Sequence, residues 1–196
     1  MKRTKMVIYT FTVCWMMSSL ALAHAPDFNA YEVTFNPNPS KGELVASSNN
    51  MGCTKGQGQK KGCVNFPKDT LGLITFSVAN KLKQCSDPGT KWVITRVELS
   101  HSGLLLPDGT TLSEKGIFGG NLPSWLEDAF PQVNPTTGIL YEVSDKLDGV
   151  TRVTSLNLNN NTGAKDIWYQ VTVSNCDADS DVVLVSDPRF ENEGKN

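Results

Sequence analysis

The chain has 196 residues, of which 39% are hydrophobic and 19% are charged, and its formal net charge is −2. This composition is typical of a globular protein and excludes an intrinsically disordered chain. General nucleic-acid binding needs a basic footprint, so the slightly acidic balance argues against nucleic acid as a partner.

The first 23 residues have the pattern of a secretory signal peptide. Three basic residues precede an apolar run that ends in small residues. Cleavage after Ala23 leaves 173 residues that begin at His24, with 15 basic and 20 acidic side chains. Cleavage after Ala25 would instead put Pro26 next to the scissile bond, an arrangement that proteases disfavour because proline restricts the backbone there.

Signal cleavage predicts an exported protein, either periplasmic or extracellular. Residues 24–196 show no linker and no internal repeat, so we expect a single domain. No other stretch of the chain is long and apolar enough to span a bilayer, and we expect no transmembrane segment after cleavage.

Short alternating segments, separated by Gly, Pro and Asn, predict β-strands along the mature chain. The predicted strands are 31–35, 43–47, 71–79, 91–99, 139–143, 150–158, 166–174 and 182–186, followed by a polar C-terminal tail over 187–196. The turn at 159–163 predicts a hairpin between the strands on either side of it. One short helix, 123–130, lies in an insertion over 101–136. The pattern predicts an all-β fold, an Ig-like or Greek-key β-sandwich of about seven or eight strands.

Four cysteines remain after signal cleavage, and an even number in an exported chain indicates disulfide bonds. We favour a local pair, Cys53–Cys63, and a long-range pair, Cys85–Cys176, although two other connectivities are open. These two disulfides would clip one loop at its base and tie the middle of the chain to its last strands.

The loop between the first two mature cysteines is rich in glycine and lysine. Lys55, Lys60 and Lys61 have no acidic neighbour there, so they can attract an anionic partner such as a polysaccharide, a lipid headgroup or an acidic protein. The same composition also fits a solvated loop without a partner.

Trp125 is the aromatic residue best placed for contact with a sugar. It lies on the predicted helix inside the insertion, whereas Trp92 and Trp168 lie in strong strands and are expected in the core. Alternatively, Trp125 packs the insertion onto the sandwich.

Asp177, Asp179 and Asp181 occupy alternate positions before the last predicted strand. Carboxylates spaced in this way can converge on Ca²⁺, as in the first half of an EF-hand loop. The glycine and glutamate that complete such a loop are absent, so another loop would have to supply oxygens. The alternative is an acidic hairpin turn that charge keeps soluble.

A second candidate metal site, for copper, consists of His24 and His101. An N-terminal histidine offers its α-amine and its imidazole, and a second imidazole completes a T-shaped set of three nitrogens suited to Cu(II). The pair resembles the copper site of lytic polysaccharide monooxygenases and of periplasmic copper carriers, whose mature chains begin with histidine. The resemblance implies that His24 is the brace residue, that His101 is the second imidazole, and that the protein carries copper or oxidises a substrate with it.

The chain contains no motif of α/β-hydrolases, zinc proteases or P-loop NTPases. We therefore expect a non-enzymatic exported protein that binds a protein or glycan partner through its loops. The copper protein is the alternative, and a component of an envelope or surface assembly is a third interpretation.

The intact mass of the exported protein tests the premise of the copper interpretation. We expect the mass of a chain that begins at His24, because proline after the scissile bond opposes the later cut. A chain that begins at Pro26 would exclude the copper site. With His24 at the terminus, the copper interpretation predicts tight Cu(II) binding in a titration and a strong loss of affinity in His101→Ala.

Overall fold

The computed structural model describes residues 28–49, 62–67, 70–101, 122–158, 165–177, 182–186 and 189–192. Within these ranges the chain forms ten β-strands, one α-helix and one 3-10 helix. The strands are β1 (Phe28–Asn38), β2 (Glu43–Ser48), β3 (Val64–Phe66), β4 (Leu71–Ser77), β5 (Trp92–His101), β6 (Ile139–Glu142), β7 (Arg152–Asn157), β8 (Lys165–Asn175), β9 (Val183–Ser186) and β10 (Arg189–Asn192). The helix α1 spans Ser124–Ala129, and the 3-10 helix spans Lys146–Asp148. The prediction of a mostly β chain with one short helix is confirmed.

The ten strands form two sheets. Sheet 1 has the order β2-β1-β4-β7, and sheet 2 has the order β3-β10-β8-β5-β6. The strand β9 pairs with the second half of β8, at Val171–Ser174, while β10 pairs with its first half. Two pairs are parallel, β1 with β4 and β3 with β10, and the remaining pairs are antiparallel.

The two sheets share one hydrophobic core. Alternate residues of β1 from Tyr31 to Phe35 are buried, as the period of a strand with one apolar face requires. The Tyr31 ring lies edge-on to Phe66 of sheet 2, with 4.9 Å between ring centroids, and Phe76 of sheet 1 lies 5.2 Å from Tyr169 of sheet 2. The buried side chains of both sheets form a single cluster, so the inner faces of the sheets lie against each other.

The predicted hairpin of strands 150–158 and 166–174 is wrong. The strand β7 pairs with β4 in sheet 1, whereas β8 pairs with β5, β9 and β10 in sheet 2. Both strands have an apolar face that points into the core, and such strands can lie side by side in one sheet or face each other across the core. A local turn signal does not distinguish these two arrangements.

Two strands lie where the sequence predicts none. Residues 189–192 form β10, although the sequence predicts a polar tail over 187–196, and β3 occupies Val64–Phe66. Each strand has at most four residues, which is too short for an alternating pattern to stand out. The backbone hydrogen bonds that join β10 to β3 and β8 do not depend on apolar side chains.

The predicted long-range disulfide Cys85–Cys176 is present. It joins the loop between β4 and β5 to the residue that follows β8. The other predicted pair includes Cys53, which lies outside the described residues, so Cys53–Cys63 stays a prediction. Among the described residues, no helix is long and apolar enough to cross a membrane.

Removal of the long-range disulfide should destabilise the fold. The cross-link spans 91 residues, and the loss of loop-closure entropy predicts a decrease of up to about 4–5 kcal/mol in the free energy of unfolding. Urea denaturation of the double variant Cys85→Ser/Cys176→Ser, beside the unmodified protein, measures this decrease. An unchanged midpoint and slope would contradict the expected role of the cross-link.

Candidate functional site

The loop over residues 78–91 connects β4 of sheet 1 to β5 of sheet 2, so it crosses from one sheet to the other. It encloses a cavity of about 380 Å³ together with the first residue of β5 and the residue before β7. The principal lining residues are the lysines Lys81, Lys83 and Lys91, the apolar residues Val78, Ala79 and Trp92, and the hydroxyl residues Thr90 and Thr151. A cavity of this size is within the range of small-molecule sites.

Thr151 fixes the first limb of this loop, the residues 78–84 that precede Cys85. Its hydroxyl donates to the carbonyl of Lys81 at 2.6 Å and accepts from the amide of Lys83 at 2.8 Å. Its amide donates to the carbonyl of Lys83, and its carbonyl accepts from the amide of Val78, both at 2.9 Å. Thr151 is only 1% exposed, and every polar group that it has is used to fix the loop.

Arg152, the next residue, fixes the start of the loop through its guanidinium group. Its Nη1 donates to the carbonyl of Asn80 at 2.7 Å. Its Nη2 lies 3.4 Å from Oε1 of Glu32, and the same carboxylate oxygen accepts a hydrogen bond of 2.9 Å from the Ser77 hydroxyl. The last residue of β4 and the loop are therefore tied to one ion pair on sheet 1.

The second limb, the residues 86–91 that follow Cys85, contains a turn at residues 87–90. The carboxylate of Asp87 accepts from the amide of Gln84 at 2.8 Å, and Gly89 has a φ of +78°, a conformation that glycine adopts without strain. Lys83 Nζ donates to the carbonyl of Pro88 at 3.0 Å, which links the two limbs of the loop directly.

The disulfide anchors the loop to sheet 2. Cys176 is bonded to Cys85, and its amide also donates to the carbonyl of Lys91 at 2.9 Å. Covalent and hydrogen-bonded contacts thus hold the loop at its start, at its tip and at its end. Such a loop loses little conformational freedom when a ligand binds, and this favours recognition.

The cavity is a cationic site on a chain of negative net charge. Three lysines line it, and among the described residues no Asp or Glu does, whereas the whole chain carries −2. Lysines around a concave, partly apolar space concentrate positive potential there and attract anions. The arrangement can therefore bind a ligand that has both an anionic group and an apolar surface.

A second charged cluster lies on β5 and β6. Arg96 contacts the carboxylate of Glu98, and its Nη1 lies 2.8 Å from Oε1 of Glu142. Glu98 is only 5% exposed, and a buried carboxylate is stable when a cation is paired with it. This cluster fits a structural ion pair between neighbouring strands.

Many of the residues that the sequence singles out lie outside the described part of the chain. They are His24, Cys53, Lys55, Lys60, Lys61, Asp179 and Asp181, and their proposed roles stay predictions. His101 is the last residue of β5, where its backbone pairs with Ile167, and its side chain also lies outside the description.

Two predicted partner or metal residues are described. Asp177 is exposed after β8; its amide donates to Oδ1 of Asn175 at 2.7 Å, and its carbonyl accepts from Nζ of Lys146 at 2.7 Å. Trp125 is the second residue of α1, is half-buried and packs against the core. In the described part of the chain, no three His, Cys, Asp or Glu side chains form a group that could hold a metal ion. The predicted copper and calcium sets each include undescribed residues, so both stay predictions.

Sequence reasoning missed Lys81, Lys83, Lys91 and the contribution of Trp92 to a site. The three lysines lie on both sides of Cys85 and close to a Pro-Gly turn. Basic residues around a bridged cysteine are a signal that could have identified this loop. Their convergence on one cavity depends on how the loop crosses between sheets, which no local pattern shows.

Neither a protein-family model nor a curated protein matches the sequence of this chain. The residues of the cavity are therefore the basis for a proposal of function.

The role of the Thr151 hydroxyl can be tested by a substitution to valine, which has nearly the same shape as threonine. Thr151→Val should lower the free energy of unfolding by about 1–3 kcal/mol, because it removes two hydrogen bonds to part-buried backbone groups of the loop. The matched control is Thr154→Val on β7, the strand that begins directly after Thr151; its hydroxyl lies 3.2 Å from the hydroxyl of Thr75 and its side chain is exposed. We expect the control to change stability by less than about 0.5 kcal/mol in urea denaturation. Equal effects of the two substitutions would contradict the role of Thr151.

Proposed function

We propose that this chain is an exported, non-enzymatic protein that binds a glycan or protein partner through the loops of a β-sandwich. The observation that carries the proposal is the cavity of loop 78–91, with its three lysines and Trp92. It combines the concave shape, the apolar wall and the few convergent polar groups that are typical of binding sites.

Export is supported by the chemistry of the cysteines. In this proposal residues 1–23 are the signal peptide, and residues 24–196 are a single Ig-like or Greek-key domain with two disulfides. The disulfide Cys85–Cys176 fits an oxidising compartment, since such bonds are rare in the cytosol. The two sheets around one core support the sandwich.

The rigid loop supports recognition. Recognition loops on a stable scaffold commonly carry the binding residues, while the sheets hold them in place. Loop 78–91 is fixed by the hydroxyl of Thr151, by the guanidinium of Arg152 and by the disulfide. A partner that binds here therefore meets a site that is already ordered, and little binding energy is lost in ordering it.

The test is a glycan array together with a pull-down that uses the mature protein as bait, at physiological salt. We expect a ligand that the unmodified protein retains and that Lys81→Gln/Lys91→Gln retains much more weakly. The matched control is Lys41→Gln, because Lys41 is exposed on the turn after β1 and does not line the cavity.

Two results would contradict the proposal. If neither assay yields a ligand that survives physiological salt, the protein is not a binding module of this kind. If the double variant retains its ligand as well as the control does, recognition does not occur at loop 78–91.

A further inference from the structure

We infer that the cavity of loop 78–91 binds one saccharide unit that carries an anionic group, a carboxylate or a sulfate, and this inference rests on the proposed binding function. Three properties of the cavity carry it: its size, the distribution of its lysines and the nature of its apolar wall.

The size favours a sugar unit over a protein surface. The cavity measures about 380 Å³, which is near the lower end of the range for small-molecule sites. A stable protein interface spreads over about 800 Å² on each partner and is close to planar. A concave space of this volume instead accepts one or two sugar rings or a compact side group.

The lysines favour an anionic unit. Lys81 and Lys91 come from the two limbs of the loop, and both are exposed residues that line the cavity. Lys83 Nζ uses one donor on the carbonyl of Pro88, and an ammonium group has three. Its remaining donors are available to a carboxylate or sulfate oxygen. An anionic ligand gains an electrostatic attraction from these lysines that a neutral ligand does not.

The wall favours a ring with an apolar face. Trp92 is half-buried and packs against the hydrophobic core, so its indole is held in place beside the cavity. Val78 and Ala79 extend this apolar surface. The C–H face of a pyranose ring can lie against an indole while its hydroxyls and its anionic group face the lysines.

Thr90 adds a hydroxyl that has no hydrogen-bond partner in the described part of the chain. Its side chain borders the cavity, and its Oγ1 is buried without a hydrogen bond among the described residues. Buried hydroxyls normally have a hydrogen-bond partner, so this hydroxyl at the edge of the cavity has an unused capacity for a hydrogen bond.

The experiment is isothermal titration calorimetry of the mature protein with defined probes. The anionic probes are a galacturonic acid trimer and a sulfated galactose trimer, the neutral probe is a galactose trimer, and the fourth is a hexa-aspartate peptide. We expect at least one anionic saccharide to bind with an affinity about tenfold or more above that of the neutral trimer, and to bind more weakly as salt rises.

The variants locate the site. Lys81→Gln/Lys91→Gln should weaken binding of the anionic saccharide about fivefold to tenfold and flatten its salt dependence. Trp92→Phe should weaken it while leaving the salt dependence unchanged, because the change removes contact area and no charge. Lys41→Gln should leave both the affinity and the salt dependence unchanged. Circular dichroism of each variant establishes that it is folded.

The remaining outcomes overturn the inference and separate it from the proposed function. Equal binding of the neutral and anionic trimers would exclude a site for anionic sugars and leave the binding function in place. Binding of the aspartate peptide alone would replace the sugar with an acidic protein partner. If no probe binds but the array or pull-down yields a ligand, the inference fails alone; if nothing binds in either experiment, both fail.

Discussion

The burial of one face of β8 is the constraint on which the rest of the structure depends. Ile167, Tyr169, Val171 and Val173 point from this strand into the core and are 0% exposed. Tyr169 also donates its hydroxyl to the carbonyl of Gly62, and burial raises the pKa of that hydroxyl well above 10.0. The hydroxyl therefore remains a donor at any physiological pH, and the segment before β3 stays attached to the strand.

The position of β8 determines the position of the cavity. The strand β5 pairs with β8 in a register that places Trp92 opposite Asn175, and Cys176 follows immediately. One wall of the cavity and the disulfide anchor of its loop thus come from neighbouring positions in sheet 2. Thr151, whose hydrogen bonds fix the loop, directly precedes β7 of sheet 1. The cavity therefore forms only when the two sheets lie together.

The sequence predicts those parts of the fold whose signal is local. The alternation of residues 31–35 and of 166–174 identifies β1 and β8, and the proline before Ser124–Ala129 identifies the start of α1. The long-range disulfide agrees with the pairing that the sequence favours among the three connectivities that four cysteines allow. The pairing of β7 and the short strand β10 do not follow, because both depend on backbone partners that are distant in the chain.

The candidate site is less predictable than the fold for the same reason. Lys81, Lys83 and Lys91 are ordinary lysines in the sequence, and the crossing of their loop between the sheets brings them to one cavity. Many of the residues that the sequence did single out, such as His24 and Lys60, lie outside the described ranges. Their predicted chemistry still depends on direct measurement.

The bond between Cys85 and Cys176 also makes the cavity sensitive to its chemical surroundings. A chain with both thiols reduced keeps every lysine, but the tip of the loop loses its covalent attachment to sheet 2. The cost of ordering that loop would then oppose ligand binding, and the affinity would fall without any change in the lining residues. Oxidation of this one pair thus determines whether the proposed binding loop is joined covalently to sheet 2 or is held by hydrogen bonds alone.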